Sequence, residues 1–202
     1  MKMADIVYTY ENKVYLNLTN ECPCRCKFCI RNNGDAVGEA TSLWHKKQPT
    51  LEEITEAVDT FDYKGADEVV VCGYGEPTSE PEILKAVCNH IKEKFGFKIR
   101  LNTNGLGNLI NNRDITEEVC SCIDSISISL NAPTAEKYND ITQPKFGIIS
   151  FEEMLSFARN CKKYLDDVRF SVVDVISKED IEDCRKLAES MGIPLRVREY
   201  TP

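Results

Sequence analysis

The chain has 202 residues, 42% hydrophobic and 29% charged, an ordinary globular composition long enough for one well-buried domain spanning 1–202. No apolar run approaches the roughly 18 residues that cross a bilayer, and the start MKMADIVYTYENK lacks the apolar core and cleavage site of a signal peptide, so a cytoplasmic protein is expected. A net charge of −8 argues against nucleic acid or a membrane as the main partner, because phosphate binding needs a basic footprint.

In chain order, Ile6–Tyr10 and Val14–Thr19 read as strands paired across Glu11-Asn12-Lys13 as a hairpin. Thr50 and Glu53 form a capping box, and Leu51, Ile54, Ala57, Val58 and Phe61 follow at helical spacing. Glu68–Cys72 is a short apolar strand. Pro81 opens a helix with Ile83, Leu84, Val87 and Ile91 on one face and Gly96 at its end. Lys98–Asn102 reads as strand, Ile115–Cys122 as helix and Ser125–Leu130 as strand. Ser150 and Glu153 form a second capping box before a helix reaching about Tyr164. Arg169–Ile176 is a strand, Ser177 caps a last helix ending near Met191-Gly192, and Leu195–Glu199 closes the series.

Strands alternating with helices imply a parallel sheet with right-handed crossovers. Six such units are too few to close an eight-stranded barrel. The expected fold is therefore α/β, an open partial (β/α)6 barrel, with a flat doubly wound sheet as the competitor. Residues 30–49 form a long irregular loop with Gly34, Gly38 and Pro49, and loops of that length in compact domains are usually functional.

In parallel α/β architectures the ligand sits at the carboxyl ends of the strands. After the strand at Val14 comes ECPCRCKFCIRNNG; after the next, Gly73-Tyr74-Gly75-Glu76-Pro77; after the next, Asn102-Thr103-Asn104-Gly105; and the fourth ends in Ser129-Leu130-Asn131. Unusual polar and glycine-rich chemistry thus follows four successive strands on one edge. Ten cysteines in a reducing compartment are not expected as disulfides, and a tight group of them points to metal or redox chemistry. Cys22, Cys26 and Cys29 are spaced C-x3-C-x2-C with aromatic Phe28 before the last. Cys24 leaves a choice open: four thiols also suit zinc, or take all four irons of a cluster. Cys24 is read here as a bystander whose side chain points away.

This pattern resembles the signature of the radical S-adenosylmethionine (SAM) superfamily, over nearly the whole chain from Val14 to Glu199. Gly75-Glu76-Pro77 looks like the end of that family's Gly-Gly-Glu-Pro motif, with Tyr74 standing where a glycine is common, and Asn104-Gly105 and Ser129 match further family positions. Within the superfamily the sequence looks most like the subgroup associated with TatD-type proteins, and association with such a protein is an expectation of that likeness.

The resemblance implies a [4Fe–4S] cluster on Cys22, Cys26 and Cys29, one iron left open for S-adenosylmethionine, and cleavage of that cofactor to a radical that abstracts hydrogen from an unknown substrate. It implies that Gly75 and Glu76 meet the methionine amino end, with Gly73 supplying the turn of this cofactor-binding segment. Thr103, Asn104 and Ser129 become candidates for the ribose and carboxylate, Val173 and Val175 for the adenine, and Phe28 a further cofactor-binding candidate. Lys137 or Lys145 is a candidate for the carboxylate where some relatives use arginine. Arg25, Lys27 and Arg31 form a basic collar suited to an acidic electron donor such as flavodoxin or ferredoxin. Trp44 is expected to anchor the long loop, His90 to lie at the surface, and Cys88, Cys161 and Cys184 to sit singly in helices. Arg198 and Glu199 are the candidates of the last strand for reaching substrate. The substrate is either a small or modified metabolite under the 30–49 loop, or a peptide or partner protein as in glycyl-radical activating enzymes. The competing class is an iron–sulfur or zinc protein without catalysis.

Overall fold

The alternation along each strand makes two unlike faces, and this division governs the architecture. The structure, a computed structural model, describes residues 4–200. Strand β1 (Val7–Tyr10) turns through Glu11 and Asn12, both at positive φ (48° and 60°), into antiparallel β2 (Lys13–Leu16). Two left-handed residues give the turn whose twist matches the paired strands. Helix α1 (Leu51–Thr60), with its capping box from Thr50 formed as expected, leads to β3 (Glu68–Val71). Helix α2 (Pro81–Phe95) ends on Gly96 at φ 70° and leads to β4 (Lys98–Thr103). Two short helices, α3 (Gly107–Asn111) and α4 (Thr116–Cys120), precede β5 (Ser125–Ser129). Helices α5 (Ala135–Thr142) and α6 (Ile149–Cys161) precede β6 (Asp167–Val173), and α7 (Lys178–Ser190), capped by Ser177, precedes β7 (Leu195–Arg198).

The sheet order is β1-β2-β3-β4-β5-β6-β7, with every pair after the hairpin parallel. The order never reverses, so the doubly wound alternative, which needs a switch point, is excluded. The result is the six-unit parallel series of a partial barrel, extended at one edge by the hairpin strand.

One face of the sheet carries Leu16, Val71, Leu101, Ile126, Ile128, Phe170 and Val172, all fully buried against the helices. The other carries Tyr15, Arg100, Asn102, Ser125, Ser127, Ser129, Arg169 and Arg196. Register aligns them in rows: Tyr15, Val70, Arg100, Ser125, Asp167; then Asn102, Ser127, Arg169; then Ser129, Ser171, Arg196. Closed barrels fill their interior with branched apolar residues. Here the SISIS strand sends isoleucines to the helices and serines inward, so the concave face is a polar cavity rather than a second core.

Two sequence expectations need correction. Ser150 does not cap α6. Ile148 is already helical (φ −62°, ψ −27°) after Gly147 at φ 69°, so the helix starts earlier and Ser150 turns into the core. Its fully buried hydroxyl is the unpaired buried side-chain group among the described residues. That helix also ends at Cys161, short of Tyr164. Cys88, Cys161 and Cys184 each sit alone in α2, α6 and α7, as expected, and all three are buried.

Candidate functional site

The cysteine loop hangs on the end of a helix that the sequence analysis did not anticipate. The last carbonyls of an α-helix have no partner within it. In α5 two of them are taken by the loop itself: Arg25 N–H donates to the Thr142 carbonyl (3.0 Å) and Lys27 N–H to the Ile141 carbonyl (3.0 Å). The Lys145 amide donates to the Pro23 carbonyl at 2.8 Å, and Lys27 pairs with Asp140 at 2.7 Å. The loop between Cys22 and Cys29 is thereby fixed in place by backbone bonds, not by its thiols. Thr134, whose side chain caps α5, and Tyr138, Ile141 and Thr142 at helical spacing were the available signal; Lys137 at the third position hid the usual capping box.

Cys22, Cys26 and Cys29 are half-buried free thiols lining one cavity of about 510 Å³. Cys24 does not point away. It is 9% exposed and lines the same cavity, and Asn104 Nδ2 lies 3.8 Å from its sulfur and 3.9 Å from that of Cys22. The Cys24 thiol hydrogen-bonds Cys22, which draws Cys22 below the ordinary thiol range against the opposing cost of burial. Its bonds to Cys22 and Cys26, with burial, push Cys24 far up. Burial also raises Cys29. Among the described residues no three His, Cys, Asp or Glu side chains gather closely enough for a single metal ion. Separated thiols sharing one wall fit a polynuclear cluster, in which each thiolate takes its own iron.

The Gly73–Glu76 segment is stitched to the cysteine loop. A Cβ on Gly75 would lie 2.3 Å from the Thr19 carbonyl oxygen, and one on Gly73 would lie 2.1 Å from Asn17 Oδ1. Both glycines are therefore dictated by contact with the chain leading to Cys22. Glu76 N–H donates to the Glu21 carbonyl at 2.7 Å. The buried Glu76 carboxylate accepts from Thr103 Oγ1 (2.6 Å), Thr78 Oγ1 (2.7 Å), Thr78 N–H (3.1 Å) and Asn104 N–H (2.7 Å). Burial raises its pKa, and these donors oppose the rise. Oε1 takes three of the four donors, so Oε2 keeps acceptor capacity toward the cavity. Glu76 thus locks the loop after β3 to the end of β4.

Of the positions named from sequence, Phe28, Gly73, Gly75, Glu76, Thr103, Asn104 and Ser129 line this cavity with the cysteines, as does Val173. Val175 does not. It is 38% exposed and lies in an adjoining depression of about 650 Å³ with Phe28, Ile141, Ile176 and Tyr200. Lys137 also lines that depression but is paired with Asp180. Lys145 lines neither cavity.

The long loop is a fixed wall. Leu43 N–H donates to Asp35, Glu39 N–H to Thr9, and the Asp5 carboxylate accepts from Thr41 and Ser42. Trp44 packs edge-on against Tyr74 with centroids 5.0 Å apart, and the Arg31 guanidinium lies 4.6 Å from the Trp44 ring centroid. It is the anchor expected. Of the basic collar, Arg31 is thus occupied by Trp44 and Lys27 by Asp140, while Arg25 is exposed. The residue that joins wall to site is Asn17, which the sequence analysis missed. Fully buried, it accepts from Tyr74 N–H (3.1 Å) and donates to the Leu43 carbonyl (2.7 Å). Its only sequence signal was an amide within the apolar run VYLNLT.

The Radical SAM superfamily model matches residues 16–191. The chain is 28% identical over 204 aligned residues to GTP 3′,8-cyclase of Alkaliphilus oremlandii, covering 99% of this chain and 59% of that protein. The chain therefore spans under two thirds of that relative. Its fold is similar to that of a radical SAM methyltransferase from Sphaerobacter thermophilus (TM-score 0.65, 15% identity, 96% of this chain and 68% of that one). It is also similar to that of anSMEcpe with bound AdoMet (TM-score 0.62, 16% identity, 93% and 50%). No helix among the described residues is long and apolar enough to cross a membrane.

Proposed function

This chain belongs to the radical SAM superfamily, and on that premise we propose that it is an enzyme that cleaves S-adenosylmethionine reductively and abstracts hydrogen from a substrate. The family's cofactors are a [4Fe–4S] cluster and S-adenosylmethionine, and its enzymes draw an electron from a reduced donor. Bound together, these cofactors supply a 5′-deoxyadenosyl radical. The observation that carries the reading is the convergence of three half-buried thiols, the Gly73–Glu76 loop and the Asn104 and Ser129 ends of two further strands on one polar cavity.

In this reading Cys22, Cys26 and Cys29 hold the cluster, and Cys24 lies beside Cys22, both sulfurs within reach of Asn104 Nδ2. Asn104 Nδ2 supplies a donor beside the Cys22 sulfur. The free capacity of Glu76 Oε2 and the carbonyls of the Gly73–Glu76 loop suit the amino group of the cofactor's methionine. Phe28 and Val175, which share the adjoining depression, suit a flat purine. The ordered 35–45 wall favours a small substrate over a partner protein that would have to enter from that side. The TatD-associated assignment rests on the sequence motifs alone. The name of the curated relative points to nucleotide chemistry, but the chain spans 59% of that protein, so the substrate is not carried over.

The test is anaerobic reconstitution with iron and sulfide, reduction in the presence of S-adenosylmethionine, and detection of 5′-deoxyadenosine by mass spectrometry. Wild type is expected to form it, Cys26→Ala to fail, and Cys24→Ala to form it at a reduced rate. Iron uptake without any cleavage by wild type would overturn the proposal.

A further inference from the structure

The concave face carries more cation than the cofactor requires. Five cationic side chains line the cysteine cavity, Lys13, Arg100, Arg169, Arg196 and Arg198, against three carboxylates, in a chain whose net charge is −8. Two of the arginines are already committed: Arg100 pairs with Glu68 at 3.2 Å, and Arg169 pairs with Asp167. One carboxylate, Glu76, is engaged by Thr78, Thr103 and Asn104. Arg196 and Arg198 are different. They alternate along β7, so both face the cavity, opposite Ser171 and Val173 of β6 in register. Among the described residues neither has a carboxylate within ion-pair distance. Two adjacent guanidinium groups facing one way repel each other, and a shared anion with paired oxygens relieves that repulsion.

At the far end of the sheet, the hairpin presents Tyr8, Tyr10 and Tyr15 to the same cavity. The Tyr8 and Tyr15 rings stack at 5.4 Å, and Tyr10 meets Tyr15 edge-on at 5.9 Å. The two sets stand at opposite edges of the seven-stranded sheet, so the arginines make the charged end of the cavity and the tyrosines its aromatic end. We propose that the substrate of this site is a small dianionic molecule, a phosphate or a dicarboxylate, whose charged end is held by Arg196 and Arg198. This rests on the reading of the cavity as the enzyme's active site.

The probes are phenyl phosphate and phthalate, with neutral benzyl alcohol as control, titrated calorimetrically into the anaerobically reconstituted protein at low and high ionic strength. At least one dianion is expected to bind, more weakly as salt rises, and benzyl alcohol not measurably. The better-bound dianion identifies phosphate or carboxylate as the source. In Arg196→Met/Arg198→Met the affinity is expected to fall about ten-fold or more, as for loss of charge-assisted bonds. Arg196→Lys/Arg198→Lys keeps part of it, and Arg185→Met, on the outer helix α7, leaves it unchanged. Cofactor cleavage without substrate is read on the same samples. Loss of cleavage in step with anion affinity would assign the arginines to the cofactor and overturn the proposal. Failure of both dianions to bind the wild type, or equal binding by the Met variant, would overturn it too. A wild type that binds the dianion through these arginines yet makes no 5′-deoxyadenosine would defeat the catalytic reading and leave the anion site standing.

Discussion

Replacing Gly75 by alanine tests the claim that the glycine serves the join between two loops. The added Cβ would sit 2.3 Å from the Thr19 carbonyl oxygen, 2.7 Å from its carbon and 2.8 Å from the Glu21 carbonyl oxygen. All three are backbone atoms, so no side chain can swing aside, and the two segments must part by about 1 Å to reach ordinary contact. Next to it, Glu76 N–H donates to the Glu21 carbonyl at 2.7 Å, and parting the segments stretches that bond. Overpacking costs about 1–3 kcal/mol, and an orphaned buried amide about 1–3 kcal/mol more, so a total near 3 kcal/mol is expected. In a chain of this size that lowers Tm by roughly 6–12 °C. The control is Gly34→Ala, whose Cβ would meet nothing within 4 Å. It is expected to be neutral or slightly stabilising through the unfolded chain. Thermal unfolding of the apo-proteins, with iron uptake measured after reconstitution, gives both readouts. Equal melting and equal iron content for Gly75→Ala and Gly34→Ala would refute the argument that this glycine is dictated by loop contact.

Thr103→Val removes the 2.6 Å bond to Glu76 and the 3.0 Å bond from Gly105 N–H, so chemical denaturation should show a loss of about 2–4 kcal/mol, largely restored by Thr103→Ser; no loss would mean that Glu76 does not lock β3 to β4. Ser150→Ala deletes a buried hydroxyl without a partner and is expected to be neutral or to stabilise by about 0.5–1.5 kcal/mol; a clear destabilisation would show that the hydroxyl has an undetected partner. Tyr63 donates to the Val58 carbonyl at 2.9 Å, and burial pushes its pKa from 10.0 up to about 12. The native state therefore holds this proton more tightly than the unfolded chain, and stability contributed here falls as pH rises from 10 toward 12. Tyr63→Phe should flatten that alkaline slope, and an unchanged slope would remove Tyr63 as its source.

Much of the site was legible because its signals are local. Cys22, Cys26, Cys29, Gly75, Glu76 and Asn104 stand just after strands whose apolar alternation marks them, and parallel topology sends the ends of such strands to one edge. The SISIS and LRVR segments likewise carried their own division into faces, since successive strand residues point oppositely. What stayed hidden depends on neighbours distant in the chain. Cys24 looked like a bystander because spacing cannot say where a sulfur turns; its place is set by Cys22 and Cys26 beside it and by Asn104, eighty residues on. Ser150 looked like a cap because the sequence does not show that Ile148 is already helical. Helix α5 lacked a full capping box, and its role emerges only where its last carbonyls meet the amides of Arg25 and Lys27.

The sequence by itself determined the succession of strands and helices and the three-thiol spacing, because periodicity and turn chemistry are properties of adjacent residues. Only the tertiary structure decided that Asn17 couples the loop wall to the glycine motif, that Glu76 is pinned by two threonines and a backbone amide, and that Arg196 and Arg198 face the tyrosines across one cavity. Those are contacts between segments separated by tens of residues, and packing and register, not local propensity, bring them together.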